Sequence, residues 1–597
     1  MELLNLDGVI EKGVFEIPSY QRGYAWQERQ LKDFWNDLEH VSKLGDKFHY
    51  MHSLTLRELE NEFESSAFEI IDGQQRLATS LILLGLLAKT TQNKDPKYSF
   101  INLEPILSYK YYGLSEAFRA ITEEEKDLEA FKTSFYAKNL IDAYAFFKEK
   151  ISDTPVGTLE KMFDALIKKM LFSVVGLNDN RIDPFSSFET INNRGKDLST
   201  LELLKNRLHF VAHKICDEGD LENLQNEIND TYTRIYHNLR FFKDDHLEDF
   251  LKYFVAYYYG EKRDFKERLL NTAFDAHKKY DDLYDEYEKI NDLLLHLSYS
   301  SKVWYFLHTL DDEELRIEIT PKMRDLLDKM RCLNALSYNA FLPLLLSLLT
   351  IQLAVRSGSE RHYTTKELEG LLEYLERFGF LIYGVADGKK TAKNEWIELA
   401  FKAIQAYRFW GDKITIEDLP TLEKNFFKGK YSGLELLEES IHSKENTEKW
   451  YQWGKALNYL LYEYELYHNP ETTLNFDSSI ESVEHILPKN PDQGYSAKEK
   501  SWAKNPHIVH ALGNLLLIPK NANSSLSNKP FEEKRKEYIK GSYSEKEVAK
   551  NASFGVAQIK ERSERLLDFL IAHYRIAELV GESAIKAFKN ALLKDIK

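Results

Sequence analysis

Cysteine is almost missing from this chain. Only Cys216 and Cys332 occur among 597 residues, and they lie far apart in the sequence. Their spacing does not match a metal-binding motif, so no cysteine-based metal site is predicted. We expect both to be small buried residues of a protein that works in a reducing compartment.

Long hydrophobic runs are missing as well. The longest apolar stretch, residues 341–355, contains Pro343, Ser347, Thr350 and Gln352. It is shorter than the ~20 residues that a membrane span needs, so a buried helix is predicted there. The N-terminal residues mix charged with apolar side chains and do not form a secretory signal. The sequence therefore predicts a cytoplasmic protein without a membrane partner.

A net positive charge is absent, since the formal charge is -16. This argues against a protein that coats DNA along its whole length. The charge is uneven, however: residues 501–597 contain 17 lysines and arginines against 11 acidic residues, a net +6, which leaves -22 on residues 1–500. A basic C-terminal segment is consistent with local contact to phosphates, although solvated helix faces give the same balance.

A nucleotide-binding P-loop is also absent. Residues 384–391 (GVADGKKT) have one residue too few between the glycines, and no lysine is followed directly by serine or threonine in the required place. Any nucleotide site must therefore use other residues.

The patterns that are present divide the chain into three regions and predict a predominantly helical α+β protein. Residues 1–215 mix short strands, such as 68–71 and 171–177, with helices, including one from 74 to 88. Residues 216–470 have the pattern of long amphipathic helices, without a fixed repeat and without evident chemistry. Residues 471–597 contain two short strands and further helices, one of them beginning after Pro530.

The first region contains three polar clusters in apolar surroundings. In the first, residues 17–26 (IPSYQRGYAW), Pro18 and Gly23 predict a fixed turn that displays Gln21 and Arg22. The second, residues 72–76 (DGQQR), stands at a strand-to-helix junction, where free backbone N–H groups and an arginine favour an anion.

The third cluster is residues 188–199 (FETINNRGKDLS), a polar loop that leads into a helix through a capping box at Ser199. Taken singly, each cluster is explained as a loop or a helix cap. Taken together, they are candidates to converge on a nucleotide phosphate and its metal, with Asp72 as the carboxylate. The candidate nucleotide-binding residues are Gln21, Arg22, Asp72, Gly73, Gln74, Gln75, Arg76, Asn192 and Arg194.

The last region has the layout of a ββα-metal nuclease site. A histidine ends one strand in residues 483–488 (VEHILP), an asparagine begins another in 512–518 (LGNLLLI), and Asn523 follows just before a helix. Such a site hydrolyses a phosphodiester: an imidazole deprotonates water, and a divalent cation stabilises the phosphorane and the leaving oxygen.

Four residues of this layout receive roles. His485 is the candidate general base, because an imidazole can accept a proton at neutral pH. Glu484 and Asn523 are candidate oxygen ligands for Mg²⁺ or Mn²⁺. Because neighbouring strand residues face opposite ways, Glu484 and His485 can serve one site only if the strand ends or bends there. Asn514 is expected to orient the His485 ring or to shape the loop.

His507 and His510 have zinc-like spacing but no third ligand nearby in the sequence. We therefore expect His510 to pack, or to bind backbone, next to Leu512.

The motifs at both ends resemble those of the fused GmrSD-type modification-dependent (type IV) restriction endonucleases. The resemblance rests on residues 17–26, 72–76 and 192–199 for a GmrS-like module, and on 484–488 with 513–515 for a GmrD-like, HNH-type module. It implies an N-terminal domain related in fold to ParB and sulfiredoxin that binds and hydrolyses GTP or ATP and helps to sense modified DNA. It implies a C-terminal ββα-metal (HNH-like) domain that nicks or cuts double-stranded DNA.

By this resemblance, Asp72, Gln75 and Arg76 govern nucleotide chemistry, with Gln21 and Arg22 nearby. His485, with Asn514 and Asn523, cleaves DNA. The sequence departs from the family at one place: relatives usually have a glycine before Ser53, and this chain has His52. We expect that ring to narrow or reshape the nucleotide pocket.

Three functions remain open on the sequence alone. The first is an NTP-regulated, metal-dependent DNA endonuclease in defence against phage. Double-strand cleavage with one nuclease site per chain would favour a homodimer, and the oligomeric state stays open. The second is an NTP-switched DNA sensor whose nuclease-like module binds without cutting. The third is an NTPase that depletes nucleotides.

Overall fold

The protein is described by a computed structural model. It describes residues 2–59, 66–93, 95–99, 104–110, 113–177, 198–240, 242, 244–261, 263–275, 278–280, 282–313, 315–332, 338–354, 363–385, 392–409, 411–419, 433–443, 445–475, 480–491 and 494–597. The chain divides into two compact units, Met1–Leu315 and Arg316–Lys597. The helical region 216–470 is thus shared between the units, and the three-region division of the sequence stays a prediction.

The first unit contains a mixed six-stranded sheet. Its strands are β1 (Glu2–Asn5), β2 (Val14–Ile17), β3 (His49–Leu59), β4 (Ala67–Asp72), β5 (Leu107–Tyr109) and β6 (Met170–Gly176). The order across the sheet is β1-β6-β3-β4-β2-β5. β3 is the central strand: it runs parallel to β6 and antiparallel to β4, with a register shift between Tyr50 and Ser53.

The helices of the first unit cover this sheet and continue beyond it. They are α1 (Leu6–Lys12), α2 (Glu28–Lys43), α3 (Gln74–Thr90), α4 (Leu114–Thr122), α5 (Phe135–Ser152), α6 (Val156–Lys169), α7 (Thr200–Ile215), α8 (Glu218–Asn238), α9 (Asp244–Tyr259) and α10 (Leu283–Thr309). All residues of α3 from Leu77 to Ala88 are buried, including the polar Thr79 and Ser80. α3 therefore forms the centre of the core, against α5 and α6.

The second unit begins with helices and ends with a two-stranded sheet among shorter helices. The longer helices are α11 (Pro321–Cys332), α12 (Tyr338–Ala354), α13 (Thr365–Phe378), α14 (Lys393–Phe409), α15 (Gly433–His442) and α16 (Lys455–His468). The strands β7 (Glu481–His485) and β8 (Leu515–Pro519) pair antiparallel. Around them lie α17 (Ala497–Ala503), α18 (Pro506–Val509), α19 (Lys520–Leu526), α20 (Phe531–Tyr538), α21 (Tyr543–Ala549), α22 (Val556–His573), α23 (Ile576–Val580) and α24 (Glu582–Leu593).

Short irregular helices complete the described structure. They are 3₁₀ segments at Pro96–Tyr98, Glu104–Ile106, Glu129–Phe131, Ile416–Asp418, Lys449–Trp453 and Leu512–Asn514, and π-helical segments at Glu267–Ala273 and Gly379–Val385.

The predicted fold class, a mostly helical α+β protein, is confirmed. Residues 341–354 of the apolar stretch lie in the buried helix α12, and no helix within the described residues is long and apolar enough to cross a membrane. Cys216 is half-buried, so its predicted full burial was wrong; the side chain of Cys332 lies outside the described residues.

Candidate functional site

The nuclease-like motifs meet on the β7–β8 pair. His485 is the last residue of β7 and pairs with Leu515 at the start of β8, and α19 follows β8 directly. The two strands come in the predicted order, but Asn523, which was expected just before a helix, lies within α19. Since β7 ends at His485, the chain is free to turn immediately after it.

Asn514 holds the turn after β7. Its side-chain amide accepts a hydrogen bond from the Leu487 N–H at 2.8 Å, and it donates to the carbonyls of Leu487 at 2.9 Å and Val509 at 2.7 Å. Its own carbonyl accepts from Ile486 N–H. Asn514 is completely buried, so these bonds are shielded from water. Of the two predicted roles for Asn514, these contacts match the shaping of the loop.

Gly513 and Arg562 explain why a glycine precedes this asparagine. A Cβ on Gly513 would lie 2.0 Å from the Ile559 carbonyl oxygen and 2.5 Å from the Ser563 nitrogen, both backbone atoms of α22. From the same helix, the buried Arg562 donates to the carbonyls of Gly513 and Leu515, at 3.0 and 2.7 Å. Close contact with α22 thus fixes the start of β8.

His485 forms a hydrogen-bonded pair with His510, the residue at the C-terminus of α18. His485 Nε2 and His510 Nδ1 are 3.0 Å apart, and both rings are buried. The Tyr451 ring lies against both imidazoles, with centroid separations of 4.8 and 5.8 Å, and the Lys489 ammonium lies 3.9 Å from the centre of that ring. The expectation that His510 merely packs or binds backbone near Leu512 missed this pairing.

Both imidazoles are neutral at physiological pH. Burial, together with the neighbouring His510 and lysines, lowers the pKa of His485 to about 2. Burial and then Lys489 lower the pKa of His510 to about 4. A neutral ring has a lone pair and is able to accept a proton, but these surroundings disfavour the resulting imidazolium.

Glu484 faces away from this histidine pair. Its carboxylate is ion-paired with Lys534 of α20, whose side chain is completely buried, and Tyr538 donates to the same oxygen at 3.4 Å. Lys534 also donates to the carbonyls of His485 at 2.9 Å and Ile486 at 3.3 Å. Burial raises the pKa of Glu484 and lowers that of Lys534. Lys534 is a residue that sequence reasoning did not find.

Asn523, the second candidate metal ligand, lies on the same face of β7 as Glu484. Its Nδ2 donates to Ser482 Oγ at 2.8 Å, and Ser482 and Glu484 are two positions apart in the strand. The amide oxygen of Asn523 and the carboxylate of Glu484 are both of the type that Mg²⁺ prefers. The donor types suit a hard cation, but this face of β7 is opposite to His485, and Lys534 already pairs with the Glu484 carboxylate. A metal held here and the His485 ring can act on one phosphate only if the end of β7 rearranges.

In the first unit, hydrogen bonds join the first motif, residues 17–26, to the second motif, residues 72–76. Gln74 Nε2 donates to the Arg22 carbonyl at 2.9 Å. Gln75 Nε2 donates to the Gly23 carbonyl at 2.9 Å, and its Oε1 accepts from Ala25 N–H at 2.8 Å. Both glutamines are buried, as are Gln21 and Arg22. These side-chain amides therefore act as clamps on the 22–25 backbone.

Asp72 and Arg76 remain partly exposed at the start of α3. Arg76 donates to Asp72 at 3.1 Å and to the Met51 carbonyl at 3.1 Å, and Ser53 Oγ donates to Asp72 at 3.2 Å. Gly73 has a φ of 101°, so it makes the turn from β4 into α3 in a conformation that favours glycine. The motif thus presents one carboxylate and one guanidinium at a helix N-terminus.

His52, at the position where the family pattern has glycine, is an exposed residue with a φ of 64°. It lies at the register shift of β3, and its ring is 5.4 Å from that of Tyr50. Glycine adopts this backbone conformation without strain, which is consistent with the glycine that the resemblance leads one to expect there. The effect of His52 on a nucleotide pocket stays a prediction.

The third motif is described only at its end. Asn192 and Arg194 lie outside the described residues, whereas Ser199 caps α7 as predicted: its hydroxyl accepts from Glu202 N–H, and Glu202 accepts from Ser199 N–H at 2.6 Å. A cavity of about 440 Å³ in this unit is lined by Ser19 and Tyr20 of the first motif and by the ion pair of Arg57 with Glu69.

Comparison with known families covers both ends of the chain. The family model "GmrSD restriction endonuclease, N-terminal domain" matches residues 3–209, and "GmrSD restriction endonucleases, C-terminal domain" matches residues 437–569. No curated protein matches the sequence.

Both matched domains are parts of restriction endonucleases, the class of protein to which the nuclease-like sequence motifs also point. The chain belongs to the GmrSD restriction endonucleases and combines the N-terminal and C-terminal domains of that family in one polypeptide. The resemblance seen in the motifs is therefore confirmed, and DNA is the implied substrate.

Proposed function

We propose that this protein is an NTP-regulated, metal-dependent type IV nuclease that cleaves modified foreign DNA. In this proposal, the β7–β8–α19 segment is an HNH-type module, and the N-terminal sheet domain is a ParB/sulfiredoxin-like nucleotide module. The observation that carries the proposal is the position of His485 at the end of β7, with Asn514 holding the turn behind it.

His485 is the proposed general base. It removes a proton from water, the water oxygen bonds to phosphorus, and the bond from phosphorus to the leaving sugar oxygen breaks. The low pKa of the buried ring makes it a weak base in the free protein. A DNA phosphate brought close to the ring favours the imidazolium, so substrate binding itself raises the basicity of His485.

Asn523 and Glu484 are the proposed ligands of Mg²⁺ or Mn²⁺. When bound, the metal supplies positive charge for the phosphorane and the leaving oxygen. Lys534 neutralises Glu484 in the absence of another cation, so metal binding requires this carboxylate to be shared or released by Lys534.

Asp72 and Arg76 are the proposed direct contacts of the nucleotide, because they are partly exposed at the N-terminus of α3. The turn at Gly73 supports these two residues, as do four buried side chains: Gln21, Arg22, Gln74 and Gln75. Asn192 and Arg194 stay in the predicted nucleotide-binding set. Binding assays with GTP and with ATP, and the mass of the protein in solution, test the nucleotide and the proposed homodimer.

The test is a plasmid-nicking assay with Mg²⁺ or Mn²⁺, on unmodified and phage-modified DNA, each with and without GTP or ATP. We expect the wild-type protein to nick modified DNA and the His485→Ala variant to lose nicking while it keeps NTP turnover. Wild-type cleavage rates in His485→Ala would disprove the assignment of the base. Fast NTP turnover without DNA and without nicking would support the nucleotide-depleting function instead.

The second candidate function is an NTP-switched DNA sensor that binds without cutting. The observation in its favour is that His485 is buried and Glu484 is already paired with Lys534. This function predicts intact binding to modified DNA, responsive to nucleotide, and no nicking under any combination of metal and nucleotide.

A further inference from the structure

A second group of potential metal ligands lies in the C-terminal unit, apart from the residues of the proposed nuclease site. It consists of His442 at the end of α15, His507 in α18 and Asp595 after α24. One candidate ligand atom from each residue lies within 4.8 Å of the others, and all three side chains are half-buried. The sequence analysis gave His507 no third ligand, because these partners are far from it in the chain.

Two of the three ligand-atom separations approach those of a tetrahedral metal site, and all three are within 4.8 Å. His442 Nδ1 lies 3.2 Å from Asp595 Oδ2, and His507 Nδ1 lies 3.9 Å from the same oxygen. Ligand atoms about 2.0–2.1 Å from a tetrahedral zinc ion are roughly 3.3 Å apart from each other. Small side-chain adjustments are therefore enough for the three atoms to share one ion.

A hydrogen bond fixes which nitrogen of His442 can serve. His442 Nε2 lies 3.0 Å from the Ala591 carbonyl oxygen, which only accepts hydrogen bonds, so Nε2 carries a proton. In the neutral ring, the lone pair is then on Nδ1 and faces the Asp595 carboxylate. Two electron-rich atoms facing each other repel, unless a proton or a metal cation lies between them.

The His507 ring lies beside the His442 ring, with centroids 6.1 Å apart, and its Nδ1 faces the same Asp595 oxygen. The hydrogen bond from His442 Nε2 to the Ala591 carbonyl is the kind of outer contact that orients metal-binding histidines in proteins.

We propose that His442, His507 and Asp595 form a zinc site. Two imidazoles and one carboxylate are a common ligand set for Zn²⁺, and three protein ligands leave a position for water. Imidazole-rich sets do not suit Mg²⁺, so this site is distinct in chemistry from the proposed nuclease metal. Because nearby lysines oppose a cation, the affinity is expected to be lower than that of a closed site with four ligands.

The site would connect three separate parts of the second unit. α18 contributes His507 to it, and the residue at the end of the same short helix, His510, bonds His485. Zinc binding would thus anchor the segment that positions the partner of the proposed base. The zinc proposal does not depend on DNA cleavage, since it rests only on the three ligands.

The test is a titration of the chelator-stripped full-length protein with ZnCl₂, followed by calorimetry. We expect one zinc ion per chain, and a roughly 10–100-fold weaker affinity in each of His442→Ala, His507→Ala and Asp595→Asn. His40→Ala, which removes an exposed histidine of α2, is the matched control and is expected to bind as the wild type does. His485→Ala is expected to bind zinc normally, which separates this site from the nuclease site.

A second readout is the thermal unfolding temperature with and without zinc. We expect ZnCl₂ to raise it in the wild type and in His40→Ala, but not in the three ligand variants, because only the native fold assembles the site. Absence of stoichiometric zinc binding to the wild type would mean that His442 and Asp595 form a simple ion pair, and would overturn the proposal. Equal zinc affinity in the ligand variants would overturn it as well.

Discussion

At the scale of single residues, the bond between His485 and His510 decides how His485 can accept a proton. If His510 Nδ1 is the acceptor, then His485 Nε2 carries the hydrogen and the lone pair for catalysis is on Nδ1 of His485. Proton uptake then keeps the bond intact. In the opposite arrangement, protonated His485 would place two donors against each other. His510 is therefore expected to position His485 and to set its tautomer.

Replacement of His510 tests this role. We expect His510→Ala to lower the nicking rate about 10–100-fold, with His510→Asn restoring part of it because an amide oxygen can accept the same bond. The measurement is the rate of plasmid nicking against pH. A positioning role predicts a shifted pH profile in His510→Ala; an unchanged rate and profile would rule it out.

The backbone at His52 gives a second prediction at this scale. A non-glycine residue with a φ of 64° is strained, and a β-branched side chain is strained most. We expect His52→Val to reduce the stability of the protein by about 1–2 kcal/mol, and His52→Gly to leave it unchanged or increase it. The measurement is the urea concentration at half-unfolding.

The control for His52 is His49→Val in the same strand, where φ is not positive and valine suits the strand. If His52→Val and His49→Val have the same stability, the backbone at His52 is not strained.

At the scale of elements, the contact of the 512–514 segment with α22 holds strand β8 in place. We expect Gly513→Ala to cost about 1–3 kcal/mol or more, because the new methyl group meets backbone atoms of α22 that cannot rotate away. Gly157→Ala is the control: Gly157 lies in α6, a Cβ added there meets no atom within 4 Å, and the substitution is expected to be neutral or stabilising. Urea unfolding of both variants gives the comparison, and equal stability would contradict the packing described for Gly513.

The elements around the motifs were predictable from local sequence. The helix that begins after Pro530 is α20, and the turn at Asp72 and Gly73 leads from β4 into α3. The capping box at Ser199 is present. Each of these features depends on residues within a few positions of one another, so the sequence alone contains the information.

The contacts inside the candidate site were not predictable in the same way. His485 bonds a residue 25 positions away, and Glu484 pairs with Lys534, 50 positions away. Neither partner lies at a sequence spacing that would identify it in advance. The histidines 507 and 510 even suggest a shared site, yet one faces Asp595 and the other His485. Long-range packing, which local patterns do not encode, decides these partners.

At the scale of the whole molecule, a buried carboxyl group in the second unit makes stability depend on pH. Glu376 of α13 accepts hydrogen bonds from Tyr459 of α16 and, at 3.4 Å, from Tyr574 at the end of α22. Burial, then repulsion from Glu463, raises the pKa of Glu376 to about 7. The group thus stays protonated in the folded protein up to neutral pH.

The sign of the effect follows from proton binding. Below about pH 4.5 the carboxyl is protonated in both states; between there and pH 7 the unfolded chain loses its proton first, so stability falls as pH rises. Above pH 7 we expect the free energy of unfolding to be lower by up to about 3 kcal/mol than at acidic pH, and we expect Glu376→Gln to remove most of this pH dependence. Urea midpoints at pH 5 and 8 measure the change, with Glu373→Gln, an exposed residue of the same helix, as the control. An equal pH dependence in wild type and Glu376→Gln would refute this source.

The complete burial of Lys534 makes it a reporter for amine-acylating reagents. Its ammonium group holds Glu484 and two backbone carbonyls, so a reagent reaches it only when α20 separates from β7. Lys536, two residues further on, is exposed and reacts in the closed protein. The ratio of label at these two lysines, read by mass spectrometry from one peptide, therefore records how often this strand opens in the absence of DNA.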